Sequence, residues 1–388
     1  MNAFNLTLTA CLFGCACWTE AQIPVIVSDS GVQTGLIRPG APAHTVGLER
    51  HTQTITLDTG VKQYGLRYIV AKDPKDPRAA IPGEGYIGMP DPANCNWYTS
   101  GFFDLQIDKK SVGTTMIHSL TGRGSKERGT ADFVFDTPQS VVRIRFVARP
   151  GEDCLFAQAL LEPKTAIKTL RLALRCYPSA FVSDADRHVL TPSRDLKQGE
   201  RVPLDLAHEW WTLYHDRLYD AGYAGPTHSG AGPCAALWIP TQNQQATISV
   251  GNYAVETSFD LNPGLRDFRF IFFDWAGTKN EAAKTDIQKR APDLLRQLAT
   301  FPFTDPAVAQ WPLDREKSEI ERTFASVPGN EETAAKYDKW AAELAEQLKR
   351  LQPVGQGAIM AEAAAAKTIA AWEAGLSELK LKALLNEI

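Results

Sequence analysis

The sequence has little net charge: 41 basic side chains stand against 45 acidic ones, a formal charge of -4 over 388 residues. That balance excludes a basic nucleic-acid binder. A mean hydropathy of -0.23 excludes a multi-span membrane protein, and 44% hydrophobic residues exclude a disordered chain. There is no Walker loop, dinucleotide fingerprint, HExxH, CxxC or GxSxG, so no motif names a reaction and neither a cofactor nor a metal is expected. Cysteine is scarce as well. Of the seven, Cys11, Cys15 and Cys17 fall within the first 22 residues, leaving Cys95, Cys154, Cys176 and Cys234. These four have no metal-ligand spacing and leave three disulfide pairings open. Cys176 alternates with Leu170, Leu172 and Leu174, which reads as a buried thiol on the apolar face of a strand.

The first 22 residues contain no Lys or Arg and are mostly apolar from Leu6 to Trp18. They read as an export signal, with Thr19 and Ala21 supplying small residues before a mature start near Gln22. Leu12-Phe13-Gly14-Cys15 also resembles a lipobox, which makes a lipid-anchored envelope protein the alternative to a secreted or periplasmic one. The apolar run is too short to act as a stable transmembrane span.

Composition changes near residue 277. Residues 1–276 hold 23 of the 28 Gly and 18 of the 24 Pro, whereas residues 331–388 hold 15 Ala. A Gly/Pro-punctuated chain followed by an Ala/Glu/Lys/Leu-rich one predicts a β-domain over 23–276 and an α-helical region over 277–388. Period-2 segments at 52–57, 64–70, 101–107, 131–135, 141–148, 154–161, 169–177, 210–215, 234–239, 247–259 and 268–275 predict the strands. Residues 141–161 read as a hairpin with one buried face. So many strands without intervening helices argue for antiparallel pairing in a large two-sheet sandwich. In the tail, Tyr337, Trp340, Leu344, Leu348 and Leu351 form one apolar stripe and Trp372, Leu376, Leu379 and Ala383 another. This pattern predicts an αα-hairpin that packs internally or docks a protein partner. An earlier helix over 280–299 is expected to kink or split at Pro292.

Titratable and aromatic residues crowd once, between Asp184 and Tyr253, where four of the seven histidines lie within the 41 residues from His188 to His228. His208 and His215 are seven apart, a spacing that suits neither strand neighbours on one face nor a helical turn, so the cluster does not read as a metal site. Its residue types do suit acid–base work. A histidine accepts a proton near neutrality and a Tyr or Glu returns one. Along a strand, His208, Trp210, Tyr214 and Asp216 would share one face, with Glu209, Trp211, Leu213 and His215 on the other. Trp210, Trp211 and Tyr253 beside His188 and Asn252 are also the means of holding a sugar, whose apolar face stacks on a ring while its hydroxyls find polar partners. The Gly-rich stretch 222–233 is followed by a strand, which excludes a helix-capped phosphate cradle. Satisfied amphipathic residues at a sheet edge would produce the same pattern without function.

The hairpin over 141–161, the segment Leu170 to Pro178 and the stretch Trp210 to Trp275 together resemble the galactose-mutarotase-like β-supersandwich superfamily, and also uncharacterised secreted bacterial β-sandwich proteins. The resemblance covers roughly residues 45–276. It implies a carbohydrate-active protein: epimerases of that superfamily use a His with a Glu, and related polysaccharide lyases place His, Tyr, Arg or Asn around an acidic sugar. Carried onto this chain, it implies catalytic roles for His208 or His215, Tyr214 and Arg187, with Glu209 as a possible carboxylate and Asn252 beside the substrate. A noncatalytic carbohydrate-binding or cell-envelope protein is the alternative, and convergence of His208, Tyr214 and Arg187 in one pocket would favour the enzyme.

Overall fold

Two kinds of strand occur in the β-region, and they build two different sheets. Leu170–Cys176 buries alternate residues, whereas Ser140–Ala148, Trp211–Asp216 and Cys234–Trp238 are buried at every position. Alternation means one face packed and one face open; continuous burial means both faces covered.

The computed structural model describes residues 23–386 apart from 40, 42, 77–79, 183–184, 226–229, 327–330 and 352–355, so the expected leader with Cys15, together with Asp184 and His228, lies outside the described residues. An eleven-stranded antiparallel sheet runs in the order Ile26–Asp29, Glu49–Asp58, Gln63–Lys72, Ala80–Asp91, Phe103–Ile107, Leu170–Cys176, Val255–Leu261, Asn243–Val250, Arg201–Pro203, with Gln33–Leu36 and Lys110–Ser111 as side branches. A nine-stranded sheet runs Asp195–Lys197, Arg187–Leu190, Trp211–Asp216, Cys234–Trp238, Asp267–Asp274, Cys154–Pro163, Ser140–Ala148, Gly129–Asp136, Ile117–Gly124. The protein is thus mainly β, a large antiparallel sandwich followed by helices.

Between the sheets lies an aromatic-rich core that includes Trp97, Phe102, Phe146, Tyr214 and Phe272. Directional bonds cross it, two of them from its aromatic side chains. The Trp97 indole N–H donates to the Phe273 carbonyl at 2.8 Å, and the Tyr214 and Thr257 hydroxyls bond at 2.6 Å. Cys95, Cys154, Cys176 and Cys234 are all buried free thiols.

Helix α1 (Asn280–Thr300) seats Ile287, Leu294 and Leu298 on the outer face of the nine-stranded sheet, against Phe156, Leu213 and Phe273. It is not split at Pro292, one of the two outcomes expected there. Pro292 is exposed, so the carbonyl it cannot satisfy is left to water. After the short α2 (Pro306–Ala309) come α3 (Leu313–Ser326), α4 (Glu331–Arg350) and α5 (Ala358–Asn386), which share a core built on Tyr337, Leu344, Ile369 and Trp372. The first turns of α5 cover the other half of the same sheet, with Ile359 on Val134 and Val141. There Glu362 pairs with Arg143 and Arg145, and Arg145 forks onto Asp132. The hairpin over 141–161 therefore buries both faces where one was expected. Expected strand 247–259 is two, Asn243–Val250 and Val255–Leu261, turned at Gly251. Among the described residues no helix is long and apolar enough to cross a membrane.

Candidate functional site on the open sheet face

The outer face of the eleven-stranded sheet carries no α-helix among the described residues, and its alternation turns polar side chains outward. Leu170, Leu172, Leu174 and Cys176 point into the core, leaving Arg171, Ala173 and Arg175 outside. The neighbouring strand Val255–Leu261 turns Glu256, Ser258 and Asp260 outward in the same way. Register then pairs Arg175 with Glu256. The Arg175 guanidinium lies 3.3 Å from the Glu256 carboxylate, Arg171 approaches that carboxylate at 3.8 Å, and Arg171 also donates to the Ser258 hydroxyl at 2.7 Å.

Small residues open this face into a two-lobed groove. The first lobe, about 370 Å³, is bounded by Tyr86, Asp104, Gln106, Arg171 and Arg175 over a floor that includes Gly85, Gly101, Gly113 and Ala173. A Cβ on Gly85 would lie 1.9 Å from the Gly113 carbonyl oxygen, so the backbones at the floor meet only because both residues are glycine. The second lobe, about 770 Å³, is lined by Tyr177, Arg201, Ser249, Asn252 and Tyr253. Arg175 and Glu256 form the wall common to both.

One end of the second lobe is an aromatic platform. Tyr177 contacts Tyr98, Phe181 and Tyr253 at ring-centroid distances of 4.8, 4.8 and 5.2 Å. Phe181 and Tyr253 are 52% and 67% exposed, unusual for rings of that size beside a polar cavity. Burial pushes the Tyr177 phenol well above its ordinary range, against the pull of Arg175. Burial and then the Glu84 charge push Tyr86 up to about 12. Neither phenol is ionised at neutral pH.

The residues singled out from the sequence do not share one place. Asn252 and Tyr253 line the second lobe. Arg187 lies buried directly behind it, donating to the Asn252 carbonyl at 2.6 Å and to the Ala180 carbonyl at 3.2 Å. Ala180 sits at φ 55, a left-handed conformation costly for a side chain. One guanidinium thus ties the two turns that present Phe181 and Tyr253. Tyr214 is in the core between the sheets, and Trp211 faces α1 on the opposite side of its strand, with Trp210 packed at that cluster's margin. His208 stands on an exposed turn, bonded to Asp205 at 2.8 Å. His188 and His215 pair across strands at the edge of the nine-stranded sheet, their rings stacked 5.3 Å apart. Burial, then Lys284 and His188, push His215 down to about 3, so its imidazole is neutral. Glu209, next to His208 in sequence, is buried. Burial opposes its ionisation, but hydrogen bonds from Arg194, Thr191, the Asp205 amide and Ser193 hold it down at about 2.

His208, Tyr214 and Arg187 therefore do not converge. Strand period separates Tyr214 from His215, and the turn at Asp205 carries His208 away from both. Sequence reasoning missed Arg171, Arg175, Tyr177, Phe181, Arg201 and Glu256. The alternation that placed Cys176 in the core already put Arg171 and Arg175 on the opposite face.

No family model matches the chain, and no curated protein does. Solved structures with partial likeness include the GH36 alpha-galactosidase AgaB from Geobacillus stearothermophilus, at 12% identity and TM-score 0.32 over 57% of this chain and 39% of that one. Another is the alpha-N-acetylgalactosaminidase NagBb from Bifidobacterium bifidum, at 8% identity and TM-score 0.36 over 67% and 41%. A third is an alpha-mannosidase from Enterococcus faecalis V583, at 8% identity and TM-score 0.37 over 70% and 38%. The match spans about two-fifths of the length of each of these glycosidase chains.

Proposed function

We propose that the protein binds a carbohydrate, preferentially an acidic one, in the groove on the open face of the eleven-stranded sheet. The observation that carries this reading is the exposed Tyr253 lining a polar cavity, with the exposed Phe181 ring 6.2 Å from it. A pyranose presents an apolar face to such rings and hydroxyls to Arg175, Ser249, Asn252 and Glu256. Arg171, Arg175 and Arg201 outnumber the lining carboxylates Asp104 and Glu256, and a guanidinium suits a sugar carboxylate or sulfate by its two-pronged geometry.

Lyase or epimerase chemistry would need a proton acceptor in contact with the sugar. Among the described residues no histidine lines either lobe, Tyr177 is held protonated, Glu256 is engaged by two arginines and Asp104, the other lining carboxylate, accepts from Gln106 at 2.6 Å. Binding without turnover is the reading these facts favour. Export to the periplasm or the exterior belongs to the same reading, resting on residues 1–22, and is checked by the mass of the mature N-terminus.

The test is calorimetric titration of the full chain with an oligogalacturonate and, for comparison, a neutral cello-oligosaccharide, with absorbance of unsaturated uronates followed in parallel. The acidic oligomer should bind more tightly, and Tyr253→Ala and Arg175→Gln should each weaken it by about tenfold or more. Undiminished binding in both variants would remove the site from this groove. Accumulation of unsaturated product would turn the binder into a lyase.

A further inference from the structure

The edge of the nine-stranded sheet holds a second constellation, on the side away from the groove. His188 and His215 are register partners on adjacent strands, so their side chains emerge on one face. Asp195 comes from the third strand: His188 pairs with Lys197, and Asp195, two residues along, is its diagonal neighbour on that face. One Asp195 carboxylate oxygen lies 3.2 Å from His188 Nδ1 and 4.0 Å from His215 Nε2. One ligand atom from each residue lies within 4.8 Å of the others.

His215 supplies the independent observation. Its side chain is 3% exposed, and neither Nδ1 nor Nε2 has a hydrogen-bond partner. Buried polar atoms are rarely left so, and an imidazole with both nitrogens unsatisfied asks for a missing partner. The cationic group facing it is Lys284 of α1, whose ammonium is turned to Glu281 at 3.4 Å.

We propose that His188, His215 and Asp195 form a binding site for a divalent transition-metal ion of the Zn²⁺ class. Two imidazoles and a carboxylate are the nitrogen and oxygen donors such an ion takes, at about 2.0–2.2 Å each. Ligands at that radius sit roughly 3.3 Å apart around a tetrahedral ion. The His188–Asp195 separation already meets this, and Asp195, 49% exposed, is free to rotate toward His215. With His188 bound through Nδ1, its Nε2 faces Asp186 at 3.4 Å, the outer carboxylate that commonly orients a metal-bound imidazole. The sequence argument against a metal paired His208 with His215; the structure pairs His215 with His188 across the sheet.

The site is tested on untagged full-length protein stripped with a chelator and desalted, titrated with Zn²⁺ by calorimetry and with Co²⁺ by visible absorption. About one Zn²⁺ per chain is expected, with a rise in Tm and Co²⁺ d–d bands characteristic of tetrahedral nitrogen and oxygen ligation. His188→Gln is close in size to the side chain it replaces and Asp195→Asn changes an exposed one, so both should keep the wild-type circular dichroism while weakening Zn²⁺ by about tenfold or more. His208→Gln, which removes an exposed histidine elsewhere, should leave binding unchanged. Binding no stronger than in buffer, binding unaltered in both ligand variants, or equal loss in His208→Gln would overturn the assignment.

Discussion

The two outer faces of the sandwich use the same residue types to opposite ends. On the nine-stranded sheet, Arg143 and Arg145 are buried under α5, with their terminal guanidinium nitrogens paired to Asp132, Gln158, Glu362 and the Phe303 carbonyl. On the eleven-stranded sheet, Arg171 and Arg175 are nearly half exposed, and their shared carboxylate is open to solvent. A buried arginine must keep its charge paired or hydrogen-bonded because its desolvation is costly. An exposed one gains little from its ion pair and can exchange partners. Burial thus decides which arginines build the fold and which are available to a ligand.

That contrast predicts the largest effect at Arg145. Arg145→Ala strands Asp132 and leaves Glu362 with Arg143 alone in a water-poor interface, and should cost about 3–5 kcal/mol, read from the shift of a urea midpoint. Arg175→Ala should cost under about 1 kcal/mol in the same assay, and equal losses at the two positions would erase the distinction.

Arg187 lies between these extremes, being buried yet serving the open face. Arg187→Met leaves the Asn252 and Ala180 carbonyls without their donor and should cost about 2–3 kcal/mol, while also weakening glycan binding because Phe181 and Tyr253 lose their support. A variant that loses stability and keeps full affinity would show that the platform holds itself.

Asp274 sharpens the comparison through pH. Burial raises its carboxyl to about 7, opposed by Asn96, Lys62 and the Ala276 amide, whereas an unfolded aspartate titrates near 3.9. Between those values the native state holds a proton that the unfolded chain has released, so this group's contribution falls as pH rises from about 4 to 7 and stays at its low level above. Asp274→Asn should flatten that part of the stability profile in chemical denaturation at several pH values. An unchanged slope would mean that the carboxyl is ionised in the folded protein.

The smallest effect on stability belongs to the exposed rings. Phe181→Ala and Tyr253→Ala should each move the unfolding free energy by less than about 0.5 kcal/mol, although both are expected to impair binding. Substantial destabilisation would make the platform part of the core and not of a site.

Much of this division was visible in the one-dimensional pattern. Leu-Arg-Leu-Ala-Leu-Arg-Cys at Leu170–Cys176 announces a strand open on one side, and Cys-Ala-Ala-Leu-Trp at Cys234–Trp238 a strand covered on both. The groove was harder to see because its wall depends on pairing at a distance: Arg175 meets Glu256 only through the register of two strands some 80 residues apart. Density along the chain misled for the histidines. His208 and His215 are close in sequence yet one sits on an exposed turn and the other under α1, whereas His188 and His215, 27 positions apart, stack. Arg187 and Asn252 were noticed for their chemistry, and the structure gives them a shared mechanical task that residue type alone does not reveal.

Two of the hydrogen bonds that cross the core, Trp97 to Phe273 and Tyr214 to Thr257, have a consequence for rigidity. Apolar contacts between stacked sheets resist separation but are nearly indifferent to small sideways slips, since sliding one methyl group past another changes little area. A hydrogen bond is lost within a fraction of an ångström and a few tens of degrees. Two of them therefore act as dowels against shear. Thr257 is flanked by Glu256 and Ser258, which face the groove, so the sheet without helices takes its lateral alignment from the sheet that α1 and α5 hold in place.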